Sequence, residues 1–248
     1  MYRDMSLKTF KVPVVLVLLY GILIVGTGTL VHFLGIKSEL YSTFITVLLN
    51  FAICGIIWFI NKKFIGIKIN FKIDFSFFKQ HKITAAAIVL ITLFMIVTNI
   101  NHLFIALLVS LQAGIVEEVV CRGIISNYIY THLRLKNERK QIWISAITSG
   151  TLFGLLHSIN LFRQEFLPTL SQVIVAAGIG MLFAVIYLIY KNLFATIIIH
   201  FLNDFWIIIS TGTATQHAQP LLSTIITTLI YITVLGILAK IIISRKIN

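Results

Sequence analysis

What most constrains this chain is where its charges are missing. Pro13–Leu34 runs for 22 residues without one Asp, Glu, Lys or Arg. A bilayer core takes about 20 apolar residues as helix, and a run of that length and purity is poorly served by water. Seven more runs follow: Leu40–Ile60, Ile83–Ile100, His102–Tyr130, Gln141–Ser158, Leu167–Tyr190, Leu193–Thr211 and Leu221–Ile243. The chain is 58% hydrophobic and only 11% charged, where a soluble domain carries about 25%. A water-soluble globule is excluded, because too few charges remain to hydrate its surface. Disorder is excluded by the excess of apolar surface. The expected fold is all-α, a polytopic membrane protein of about eight transmembrane helices. Eight spans leave little for a second domain, so residues 1–248 read as one transmembrane domain, with no internal repeat.

The net charge of +12 would suggest nucleic acid in a soluble protein. Its distribution gives another cause. Cytoplasmic loops collect Lys and Arg. Arg3, Lys8 and Lys11 precede the first run, and Lys62, Lys63, Lys68, Lys72, Lys79 and Lys82 follow the second. Arg134, Lys136, Arg139 and Lys140 follow the fourth, Lys191 the sixth, and Lys240, Arg245 and Lys246 close the chain. The opposite loops hold only Lys37 and Arg163. The basic charge is thus explained by topology, with both termini cytoplasmic, a multi-pass arrangement in the cell membrane, the lipid bilayer as partner and no nucleic acid. The first run is too long for a signal peptide and lacks a small-x-small cleavage site, so an uncleaved helix is expected. Cys54 and Cys121 lie in apolar runs and form neither a disulfide framework nor a metal pair.

Between the second and third runs, Phe64–Phe78 alternates Ile67, Ile69, Phe71, Ile73 and Phe75 with Lys68, Asn70, Lys72 and Asp74. Strict alternation predicts an extended stretch lying on the cytoplasmic interface, and a basic linker serving topology is the simpler reading. His32, His102, His132 and His217 fall near span ends and His81 in a basic loop; these are expected to be interfacial.

A charge at a helix centre costs roughly 2.5–3.5 kcal/mol on insertion scales, and such residues usually mark function. Here they fall in three places. In Val116-Glu117-Glu118-Val119-Val120-Cys121-Arg122, Glu118 and Arg122 are four apart and share a helix face, so they pair. Glu117 sits about 100° round the helix with no cation at pairing distance. One carboxylate is neutralised and structural, or locks two helices together; the other is free for acid–base chemistry. The second place is Phe153-Gly154-Leu155-Leu156-His157. The third is His200-Phe201-Leu202-Asn203-Asp204, where His200 and Asp204 share a face. That pair suits a metal, an oriented histidine or an oxyanion. Each histidine alone reads as a satisfied buried residue. Together, one free Glu, two intramembrane His and one Asp are what water activation requires. Cys121 has no histidine on its own face and is not expected to be a nucleophile.

At these residues the chain resembles the CPBP intramembrane proteases, also called the Abi or CAAX-protease family, whose signature is EExxxR, FxxxH and HxxxN or HxxxD on three membrane helices. Glu117-Glu118-xxx-Arg122, Phe153-xxx-His157 and His200-xxx-Asp204 match in order, and Lys191-Asn192-Leu193-Phe194-Ala195 is similar to the approach to the third motif. The resemblance covers about residues 102–206. It implies helices around a water-filled intramembrane catalytic cavity, and hydrolysis of peptide bonds in a peptide or membrane-associated protein substrate. By the same resemblance Glu117 and His157 activate water, and His200 and Asp204 stabilise the oxyanion or bind metal. Glu118, Arg122 and Asn203 support them. It further implies a metalloprotease with a divalent metal, zinc being one choice, held by Glu117, His157 and His200; a metal-free glutamate mechanism is the alternative. Asp204 stands where Asn is more usual, which adds negative charge and favours metal. A leader peptide, pheromone precursor or bacteriocin-related peptide is the natural substrate where no prenylation system exists. Two other readings compete: a bacteriocin-type self-immunity protein acting by binding, and a proton-coupled transporter. Against the transporter stand the lack of a repeat and of matched broken helices, with Pro13, Pro168 and Pro220 the only prolines.

Depth sets a geometric condition. Counted at about 1.5 Å per residue from the cytoplasmic ends of the runs, Glu117 lies roughly 20 Å in, His157 about 24 Å and His200 about 10 Å. The three meet only if helices tilt or the seventh span starts deeper.

Overall fold

The structure, a computed structural model, describes residues 7–73, 82–213 and 220–247. Expectations for Arg3, Lys79, His81, His217 and residues 74–78 lie outside them. The described residues form helices and no strand: α1 Leu7–Phe33, α2 Glu39–Ile60, α3 Lys82–Thr98, α4 Leu103–Glu118, α5 Asn127–Leu133, α6 Glu138–Leu156, α7 Phe166–Tyr190, α8 Leu193–Thr211 and α9 Leu221–Lys246. A π-helical stretch, Val119–Ser126, joins α4 to α5, so residues 100–133 cross as one interrupted rod. Seven of the eight expected spans are long and apolar enough to cross a membrane. The eighth, α3, stops at 17 residues and has no buried residue. The protein is an all-α, multi-pass membrane protein.

The interrupted rod is the centre of the bundle. Ala106, Val116, Val120, Ile124 and Ile129 along it are fully buried. Around it the helices close through small residues, which substitute for hydrophobic drive inside lipid. Gly114 lets α8 approach α4: a Cβ there would stand 3.1 Å from the Ile197 carbonyl and 3.2 Å from the Phe201 nitrogen. Gly150 does the same for α6 and α7, where a Cβ would meet the Ala177 carbonyl and Met181 nitrogen at 2.6 Å. Buried amides add polar glue. Asn50 on α2 donates to Gln112 Oε1 on α4 at 3.2 Å, and Thr27 on α1 donates to Asn50 at 3.5 Å. The outer elements differ: α9 packs on α7 and otherwise presents apolar side chains outward, and α3 leans on α8 through Trp206 Nε1 donating to Thr92 Oγ1 at 3.0 Å.

The basic linker after α2 is more than a linker. A π turn at Asn61–Ile65 ends at Gly66, whose φ of +75° stops the helix in the left-handed region. Residues 66–73 then run without regular structure, tied to the bundle on three sides. Asn61 holds Ile67 by both its amide atoms, at 2.8 and 3.1 Å. Asn127 Nδ2 donates to the Lys68 carbonyl at 2.9 Å. The Asn70 nitrogen donates to the Tyr187 hydroxyl at 3.2 Å, and the Leu193 nitrogen donates to the Asn70 carbonyl at 3.0 Å. The alternating Ile67, Ile69 and Phe71 face inward or pack on α8, with Phe71 edge-on to Phe194. This strap covers the start of α8, leaving Leu193 1% exposed. Beside it the Lys191 ammonium lies 4.3 Å over the Tyr130 ring, and burial pushes its pKa below the ordinary lysine range. The seventh span therefore starts beneath a cover of protein.

Candidate active site

Three helix segments meet at the middle of the bundle. The last two residues of α4 are Glu117 and Glu118. The π stretch that follows is the widened geometry often found at functional sites, and it carries Arg122. Glu118 and Arg122 are both wholly buried, with Nη1 2.9 Å from Oε1. The pairing expected from their spacing is present. Two ring faces complete the guanidinium's surroundings: its carbon lies 4.2 Å from the Phe153 centroid and 5.3 Å from that of Phe183. A buried arginine costs heavily unless compensated, and here a carboxylate and two π faces compensate it. Phe153 is thus the arginine's platform as well as a motif position.

His200 closes the network from α8. Its Nδ1 donates to Glu118 Oε1 at 2.8 Å, the same oxygen that faces Arg122. With Nδ1 occupied, Nε2 turns outward, 3.4 Å from Asp204 Oδ2 and 3.8 Å from Glu117 Oε2. Asn203 Nδ2 donates to Asp204 Oδ1 at 2.9 Å and fixes that carboxylate. Glu117 is the unpaired acid of the pair. Its side chain is 22% exposed, and Asp204 is 25% exposed, while Glu118 and Arg122 are sealed.

His157 caps α6 where the chain tightens into a 3-10 turn, His157–Phe162. A carbonyl only accepts, so the 3.0 Å contact from Nδ1 to the Phe153 carbonyl places a proton on Nδ1 and leaves Nε2 unengaged. The ring is half-buried and stands edge-on to Phe153, 4.9 Å between centroids. The ring lies within electrostatic reach of both Glu117 and Asp204. The structure therefore brings Glu117, His157, His200 and Asp204 into one electrostatic cluster, with Glu118, Arg122 and Asn203 behind them.

The metal set read from the sequence, Glu117, His157 and His200, finds no closed cage. Among the described residues no group of three or more His, Cys, Asp or Glu side chains is arranged to hold an ion. Nδ1 of His200 is engaged by Glu118 and Nδ1 of His157 by the Phe153 carbonyl, which leaves Nε2 of each ring as the nitrogen open to a ligand. Two partners were invisible to spacing. The Glu118–His200 bond joins residues 82 apart, and Phe183 lies on a helix without a motif.

A family model described as Type II CAAX prenyl endopeptidase Rce1-like matches residues 99–206. That stretch spans α4 to α8 up to Trp206 and holds all three motifs. No curated protein and no solved structure matches the chain.

Proposed function

We propose, for a chain whose residues 99–206 are of the Rce1-like type, that it is an intramembrane endopeptidase in which Glu117 activates water. The family match supports a CAAX-type peptidase in general; the residue roles are inferred from geometry. Glu117 Oε2 is the free base. It takes a proton from water as the hydroxide adds to the scissile carbonyl, with His157 Nε2 as the second group holding that water. A ring set between two carboxylates, Glu118 at 2.8 Å and Asp204 at 3.4 Å, has a proton acceptor beside each nitrogen. His200 with both protons offers Nε2–H to the developing oxyanion. Glu117 then passes its proton to the leaving nitrogen, the C–N bond breaks, and acid and amine depart. One water is consumed and no redox partner is needed.

The observation that carries this reading is the asymmetry of two adjacent glutamates: Glu118 wholly buried and doubly engaged, Glu117 beside it partly exposed and free of arginine. The test is cleavage of prenylated and plain peptides by purified protein, wild type beside Glu117→Gln, with and without a strong chelator. Loss of a general base lowers the rate by about 10²–10⁴-fold, and that loss is expected with the fold retained. Equal cleavage by wild type and variant would overturn the reading. Activity is expected to survive chelation; loss restored by zinc would require His157 Nε2 to swing towards Glu117 and His200. The two peptide classes separate a prenyl-dependent substrate, the type the matched family is described by, from an unmodified peptide.

A further inference from the structure

Outside the three motifs, one polar side chain points into the buried ground beside Glu117 from a helix that the family match does not cover. Tyr20 stands midway along α1, 1% exposed. Tyrosines in membrane proteins cluster where the hydroxyl reaches the interface. Tyr20 is more than three turns from either end of its helix, so that explanation does not apply. Among the described residues its hydroxyl has no hydrogen-bond partner, an arrangement that buried polar groups avoid.

Its surroundings narrow what the hydroxyl serves. The ring packs in one cluster with Val116, Val120 and Cys121, the residues that flank Glu117 on α4 and the π stretch, and with Phe153. A Cβ on the neighbouring Gly21 would stand 3.5 Å from the side chains of Leu156 and Ile159, on either side of His157. Tyr20 therefore sits where the Glu117 turn and the His157 turn come together. The ionisable groups near enough to interact electrostatically with its phenol are Glu117, Cys121 and Cys54. A thiol is a weak acceptor, whereas a carboxylate is a strong one. Of the three, only Glu117 suits a phenolic donor.

We infer that Tyr20 is a positioning residue of the peptidase site, its hydroxyl donating to the Glu117 carboxylate through one bridging water, so that the other oxygen is aimed at the scissile carbonyl. The inference rests on the reading of Glu117 as the base. It gives α1 a role that the motif-bearing segment alone does not supply: the base is held from outside that segment.

The test compares wild type, Glu117→Gln, Tyr20→Phe and the control Tyr41→Phe, whose tyrosine is 65% exposed. Tyr20→Phe keeps the ring and removes only the donor. Losing a hydrogen bond to a charged group is expected to lower kcat by about 10- to 100-fold, with KM and thermal midpoint unchanged and the control fully active. Infrared difference spectra provide a readout that needs no substrate. The carboxyl band lost in Glu117→Gln belongs to Glu117, and it should move in Tyr20→Phe and stay put in Tyr41→Phe. An unmoved band, or a rise in KM with kcat unchanged, would overturn the inference, because either means that the hydroxyl serves only packing. If wild type and Glu117→Gln cleave alike, the peptidase reading fails. The band still decides whether Tyr20 and Glu117 are bonded.

Discussion

Glu117 and Glu118 are neighbours in sequence and occupy two different regions of one site. The Glu118 side is sealed: carboxylate, guanidinium and imidazole share one oxygen between two phenylalanine rings. The Glu117 side is open, with partly exposed carboxylates on Glu117 and Asp204 and an unengaged His157 Nε2. On the sealed side one carboxylate oxygen faces both the guanidinium and the imidazole, so these three groups are ordered by each other. The open side leaves its groups facing outward, which is what a reacting centre needs. In the proposed mechanism, ordering falls to one glutamate and reactivity to its neighbour.

The sharpest way to break this division is from the sealed side. Arg122→Ala leaves the buried Glu118 with the His200 imidazole as its sole charged partner among the described residues, and removing one partner of a buried pair costs about 3–5 kcal/mol. Thermal unfolding in detergent should fall sharply, with activity lost through the fold. Glu117→Gln should leave the unfolding midpoint nearly unchanged, since it removes no arginine partner. If both variants unfold alike, the two sides are not distinct.

A smaller effect tests the helix packing that delivers His157. Gly150→Ala drives a methyl into the Ala177 carbonyl and Met181 nitrogen at 2.6 Å; overpacking of this kind costs about 1–3 kcal/mol. Gly236→Ala on α9 meets nothing within 4 Å and should be neutral or slightly stabilising, since alanine is the better helix former. Thermal midpoints of the two variants should move in opposite directions or differ clearly. Equal shifts would mean that α6 and α7 are not held by backbone approach.

What was legible in the sequence follows from the range of the signal. Apolar runs and helical spacing are local, so the spans and the Glu118–Arg122 pair could be read directly. The identity of the free glutamate followed from 3.6-residue geometry alone. Contacts between distant segments carry no local period. Nothing in spacing joins Glu118 to His200, places Phe183 over Arg122, or brings Tyr20 into one cluster with Val116, Val120 and Cys121. The setting of His200 is illegible for a related reason. Counting from a span end takes the membrane surface as the reference, whereas α8 starts under the strap at 66–73. The alternation of Ile67, Ile69 and Phe71 was visible, and its meaning as a docked strap rather than a linker depended on Asn61, Asn127 and Tyr187.

The smallest expected effect concerns that strap. Asn127→Ala removes the donor to the Lys68 carbonyl, a hydrogen bond worth about 1 kcal/mol, and leaves the Asn70 and Leu193 contacts in place. Global stability should drop only slightly. Because the strap sets where α8 begins, local opening should rise first at the amides of Asn70 and Leu193, read by hydrogen exchange, before any change at the amides around Glu118. Cleavage should weaken a few-fold through His200, whose ring is delivered two turns from Leu193. If exchange rises equally at Glu118, the strap and the sealed side are one cooperative unit, and the cover over α8 belongs to the core. If exchange rises only at the strap and cleavage is untouched, the depth of His200 is set by the α4–α8 contact at Gly114 instead.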